Sequence, residues 1–190
     1  MTSVWLTARG AGLAALVLLT LSTCIGALGS GGVRPGTRVI LQNVHRVAGS
    51  LGLGVIILHV ATIVADRFAH VGVSGAIVPF TAGFRATWVG LGTIAAYVFL
   101  GVAALGFARG RMATSARGAA AWRALHALAY VGWVLAMVHG YNSGTDTPLA
   151  WVRLLYLLCG SAVIGSVLAR LAGRHRPDLV RPGTAPLPIS

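Results

Sequence analysis

Five runs of about twenty apolar residues dominate this chain, at about 11–29, 41–65, 88–108, 122–141 and 149–171. Runs of that length match a helix crossing a hydrocarbon core about 30 Å thick, where backbone polar groups must be paired within the element. The 190 residues are 56% hydrophobic, with 15 basic and 3 acidic side chains. That balance is too apolar for a soluble domain. The expected fold is all-α: one polytopic membrane bundle of five transmembrane helices over residues 1–176, with no soluble catalytic domain. Residues 177–190, rich in Pro and Gly, read as a disordered tail.

The net charge of +12 does not point to nucleic acid. The arginines sit in short loops between apolar runs, and no basic stripe is interleaved with aromatics. They read as topology signals instead. Arg34, Arg38, Arg46, Arg109, Arg111, Arg117, Arg123, Arg170, Arg174, Arg176 and Arg181 fall on one side. The other side has only Arg9, Arg67, Arg85 and Arg153, partly offset by Asp66 and Asp146. The positive-inside rule then puts the N-terminus outside and the C-terminus in the cytoplasm. The first run ends in Ala27-Leu28-Gly29, which resembles a signal-peptide cleavage site, but its leading region carries only Arg9, so a retained helix is expected. The segment 71–84 (VGVSGAIVPFTAGF) is apolar yet too short to span; it is expected to lie in the interface or fold back over the outer end. Cys24 and Cys159 each lie in an apolar run and read as small core residues.

Within the second and fourth runs lie His45 and His59, then His126 and His139. Ionisable side chains inside a span are expensive, and they mark function by default. The spacings are fourteen and thirteen residues, about 21 Å and about 20 Å along a helix axis. Two helices with a histidine at each of two depths suit two stacked metal centres. Bis-histidine ligation needs one neutral imidazole from each of two facing helices at one height. The expected pairs are His45 with His126 at the cytoplasmic level and His59 with His139 at the outer level. No CxxCH motif is present, so a heme would be held non-covalently.

Helical phase supports part of this arrangement. His45 and His59 share a face with Gly49 and Gly52, which suits either close approach of a flat macrocycle or close helix packing. Thirteen residues leave His126 and His139 about 140° apart on an ideal helix, so that helix must bend or carry a π-bulge, with Gly132 and Gly140 as candidate soft points. Trp133 falls between the two levels and suits either the gap between two hemes or ordinary packing. Arg46 and Arg123 stand beside the inner histidines and suit either heme propionates or membrane anchoring. His70 falls in an outer loop and His175 in the tail, where both read as solvated.

The pattern His45-x13-His59 with His126-x12-His139 resembles the membrane domain of the ferric reductase and NADPH oxidase superfamily. The stretch WRALHALAYVGWVLAMVHGYNSGTD, from Trp122 to Asp146, also looks like bacterial ferric-reductase-like transmembrane proteins. The resemblance covers roughly residues 10–171. It implies two hemes b, an inner one on His45/His126 and an outer one on His59/His139, with electrons moving outward. The superoxide-forming members carry a further histidine one turn past the outer ligand, and this chain has Ile63 there. A dedicated oxidase is therefore not implied. The chain carries no GxGxxG in a strand–helix context, so the expected donor is a separate flavoprotein or quinol. The expected acceptor is ferric iron, or a periplasmic or flavin-carrying redox partner; membrane lipid surrounds the bundle and nucleic acid is not a partner. The same features suit the heme-binding membrane subunit of a periplasmic reductase system. A different class, a transporter using the histidines as proton or metal relay sites, usually adds acidic residues or prolines within its spans. This chain has no glutamate, and its aspartates lie outside the runs.

Overall fold

The computed structural model describes residues 3–30 and 33–174, and the expectations for the tail at 177–190 and for His175 lie outside them. Seven α-helices follow in chain order: α1 (Ser3–Leu28), α2 (Pro35–Ala65), α3 (Gly72–Ile77), α4 (Ala86–Met112), α5 (Ala116–His126), α6 (Leu128–Ser143) and α7 (Ala150–Arg174). A 3-10 turn, Arg67–Ala69, precedes α3, and no strand occurs among the described residues. Five helical stretches are long and apolar enough to cross a membrane, with α5 and α6 together forming one of them.

Several helices outrun the apolar runs that define them. α2 begins at Pro35, whose fixed φ and missing N–H suit the first turn. α4 ends in Arg109 and Arg111, cations that favour the negative end of the helix dipole and carry long stems along its apolar surface. α5 starts where the Ser115 hydroxyl accepts from the Gly118 N–H at 3.1 Å, an N-cap.

The packing makes two helix pairs. α1 lies along α2, α4 lies along α6, and α1 joins the pairs through α6 while α7 covers α1. Leu16, Leu19, Ala95, Phe99, Trp133, Val152, Tyr156, Cys159 and Val163, from α1, α4, α6 and α7, form the core. Many large apolar side chains face outward instead, among them Ile57, Leu157, Ile164 and Phe107. An apolar exterior on helices this long suits lipid contact.

Two features concern the space between α2 and α6. The segment after α2 folds back: Ala69, Val71 and Ala82 cluster with Trp5, Ile63 and Val89 and close one end of the bundle. Of the two placements expected for residues 71–84, in the interface or folded back, the segment takes the second. The second feature is the break between α5 and α6. Ala127, at φ −66° and ψ −14°, interrupts the helix immediately after His126, and the Tyr130 N–H returns to the Ala127 carbonyl at 3.1 Å, one residue short of the α-helical interval. The bend required by the thirteen-residue spacing is therefore at Ala127. Gly132 and Gly140, expected to be the soft points, lie inside the continuous α6; Gly132 packs on Val98 and Phe99, and Gly140 on Tyr156.

Candidate functional site

α2 and α6 are not packed closely against each other, and the histidines occupy the space between them. The rings of His45 and His126 have centres 6.0 Å apart, and those of His59 and His139 are 6.3 Å apart. Each pair is steeply inclined, at 69° and 76° between ring planes. The two pairs expected from spacing and topology are the two pairs whose rings lie side by side.

The outer faces of these rings are held by the flanking helices. His59 Nδ1 donates to the Ala8 carbonyl at 2.8 Å, and His45 Nδ1 donates to the Ser22 carbonyl at 2.9 Å, both on α1. His139 Nδ1 donates to the Trp88 carbonyl on α4 at 2.8 Å. A carbonyl can only accept, so in these three rings Nδ1 carries a proton, and in the neutral imidazole Nε2 then keeps its lone pair. Such backbone anchoring of the far nitrogen is the usual support of a metal-ligating histidine.

A helical carbonyl already accepts from the N–H four residues on, so a second donor can reach it only if nothing shields it. The residue four positions beyond each acceptor is a glycine. Ala8 is followed by Gly12, Ser22 by Gly26, and Trp88 by Gly92. A Cβ on Gly12 would stand 3.1 Å from His59 Cε1, on Gly26 3.1 Å from His45 Cε1, and on Gly92 2.5 Å from His139 Nδ1. Each missing side chain is what lets an imidazole lie against the helix. Gly106 repeats the pattern beyond Val102, more loosely: its Cβ would lie 4.0 Å from His126 Cε1. His126 Nδ1 is buried and makes no hydrogen bond of normal geometry, although the Val102 carbonyl lies on its side. That ring is braced by Trp122 instead, stacked on it at 4.8 Å with the planes 16° apart. The Trp122 N–H is fixed in turn by the Leu105 carbonyl at 2.8 Å, and the Arg109 guanidinium lies over the indole at 5.2 Å.

These four glycines were not singled out from the sequence. Their signal is present, because Gly12 to Gly26 and Gly92 to Gly106 are each fourteen residues apart, repeating the interval from His45 to His59. A glycine in an apolar helix is too common to stand out until its partner ring is known.

The remaining expected residues take various places. Gly49 and Gly52 face α1, where a Cβ would stand 3.2 Å from Ser22 Oγ and 3.0 Å from Leu19 Cδ2; side chains of α1 fill the space beside them. Trp133 is buried midway between the two pairs and donates to Thr20 Oγ1 on α1 at 2.9 Å. Arg46 and Arg123 are exposed beside His45 and His126, and His70 is exposed at the opposite end.

A cavity of 210 Å³ surrounds the His59/His139 pair. Its walls include Leu16, Ile56 and Phe99 toward the middle of the bundle and Ala69, Val71 and Phe84 from the folded-back segment. Arg9 and Asp146, joined in an ion pair, line the same cavity.

Each histidine pair can present one ring nitrogen from either side to a metal placed between the rings. Imidazoles binding one metal from opposite sides, each at about 2 Å through Nε2, have ring centres about 6 Å apart, which is the observed separation. Among the described residues no group of three or more His, Cys, Asp or Glu side chains converges. No protein-family model, curated protein or solved structure matches the chain.

Proposed function

We propose that this chain is a multi-pass membrane protein that holds two b-type hemes, one on His45 and His126 and one on His59 and His139, and passes single electrons between them. The observation that carries the reading is the repeated geometry. Two histidine pairs at two depths share one ring separation and leave Nε2 facing inward wherever Nδ1 is anchored. When bound, heme iron supplies reversible one-electron chemistry.

The residues of the chain do the rest. Ala8, Ser22 and Trp88 hold three rings in the tautomer a metal requires, and the N–H···O bonds strengthen those nitrogens as donors. The apolar walls around His59 and His139 exclude water and so favour the less charged state of a bound centre. Trp133, fixed by Thr20, fills the space between levels about 21 Å apart along α2.

The distribution of arginines supports placing the His45/His126 end on the cytoplasmic side, and outward electron flow is what the resemblance to the ferric reductase superfamily implies. A separate flavoprotein or quinol would be the donor. The acceptor would be ferric iron or a redox partner at the outer face, which also suits a heme-binding subunit of a periplasmic reductase system.

The test is a pyridine hemochrome assay with a redox titration on purified protein. Two hemes per chain with a reducible b-type spectrum are expected, and His59→Ala should leave one heme and abolish reduction of outside acceptors. A colourless, correctly folded preparation from heme-replete cells sinks the reading.

A further inference from the structure

The cavity around His59 and His139 contains a polar group that the two histidine pairs leave unexplained. Tyr156, on α7, is only 7% exposed and belongs to the apolar core. Its ring packs edge-on against Tyr141, with centres 5.5 Å apart, and its hydroxyl has no hydrogen-bond partner among the described residues. The other three tyrosines differ. Tyr97 donates to the Ile77 carbonyl, Tyr130 accepts from Arg170 at 3.3 Å, and Tyr141 is 47% exposed. Tyrosine hydroxyls in apolar surroundings normally find a partner, and this oxygen opens onto the cavity rather than being sealed in the core.

The hydroxyl is not walled off. Tyr156 lines the same cavity as His59, His139, Arg9 and Asp146. Its oxygen lies against Gly140, the residue directly after His139, where any Cβ would collide with it. Gly140 thus keeps a place for a hydroxyl beside the histidine. The Thr147 hydroxyl, in the same wall, already donates to the Tyr141 and Gly144 carbonyls at 2.8 and 3.1 Å. Tyr156 is therefore the uncommitted donor of the pair.

We propose that Tyr156 is a binding residue of the His59/His139 site, its hydroxyl donating a hydrogen bond to a carboxylate substituent of the tetrapyrrole seated there. The inference rests on the di-heme reading. An anionic oxygen in an apolar cavity needs donors, and a phenol O–H to a carboxylate is a charge-assisted bond; the Arg9 guanidinium on the same wall is already paired with Asp146, which leaves Tyr156 as the donor.

Tyr156→Phe removes the hydroxyl and keeps the ring, and Tyr141→Phe serves as the control. The full-length protein, purified with its hemes, is mixed with excess apomyoglobin to time heme loss. The carboxylate-bending resonance Raman band of the same sample is recorded as well. In Tyr156→Phe one of two hemes should leave about tenfold faster and one band should shift, while Tyr141→Phe changes neither. Wild-type rates with unshifted bands overturn the inference. So does faster loss with unshifted bands, or equal acceleration at both sites, since each would mean a packing effect alone. Those results leave the di-heme reading standing, whereas a wild-type preparation without heme overturns that reading and this inference together.

Discussion

The two histidine pairs reach nearly the same ring separation by different means. At the His59/His139 end both rings donate to backbone carbonyls at 2.8 Å, both lie tightly over glycines, and a folded-back segment closes the cavity. At the other end only His45 is anchored in that way. It donates to the Ser22 carbonyl while the Ser22 hydroxyl donates to the His45 carbonyl at 3.1 Å, a reciprocal clasp between α1 and α2. His126 relies on an aromatic stack and follows directly onto a helix break.

The difference traces to one residue of spacing. The glycines of α4 keep the fourteen-residue interval, but the histidines facing them are thirteen apart. One ring can be in register with its glycine, and that ring is His139. The break at Ala127 recovers the direction of His126 without recovering its hydrogen bond. A stack does not fix a ring nitrogen as a hydrogen bond does, so the two ends should respond differently to the same kind of damage.

The largest expected effect comes from filling the glycines. Gly92→Ala places a methyl 2.5 Å from His139 Nδ1, whereas Gly106→Ala places one 4.0 Å from His126. Gly92→Ala should cost the protein about half its heme by hemochrome assay, and Gly106→Ala should leave the content at the wild-type level. Equal loss in both would erase the asymmetry. A smaller effect is expected from Trp122→Ala, which removes the stack on His126. An aromatic pair is worth about 0.5–1.5 kcal/mol beyond its buried area, so heme should be lost from the His45/His126 site about two- to tenfold faster. The other site should be unchanged when heme transfer is followed by site. The smallest effect belongs to the region between the pairs. Thr20→Val leaves the Trp133 N–H buried and unmet, which should lower stability by about 1–3 kcal/mol in a denaturation assay with both hemes retained.

The helices and the histidine pairs were legible in the sequence for a shared physical reason: lipid tolerates few exceptions. Uninterrupted apolar runs, and imidazoles within them, stand out against that background. The supports of those imidazoles were not legible. Backbone carbonyls have no sequence identity, and the glycines exposing them look like any helix-packing glycine until the opposing ring is placed. The break at Ala127 was hidden because neither proline nor glycine marks it. Expectation fell on Gly132 and Gly140, which instead make room for Val98, Phe99 and Tyr156. Tyr156 was invisible for a related reason, since on α7 it reads as one more bulky residue of an apolar helix.

The glycine and carbonyl pairs also bear on what a ligand must overcome to bind. A free histidine side chain samples several rotamers, and halting that motion costs about 0.5–1.5 kcal/mol for each side chain immobilised on association. Ala8, Ser22 and Trp88 have already stilled three of the four rings during folding. The entropy is therefore lost once, when the bundle assembles, and anything that binds between His59 and His139, as proposed, would meet two rings that no longer need to be ordered.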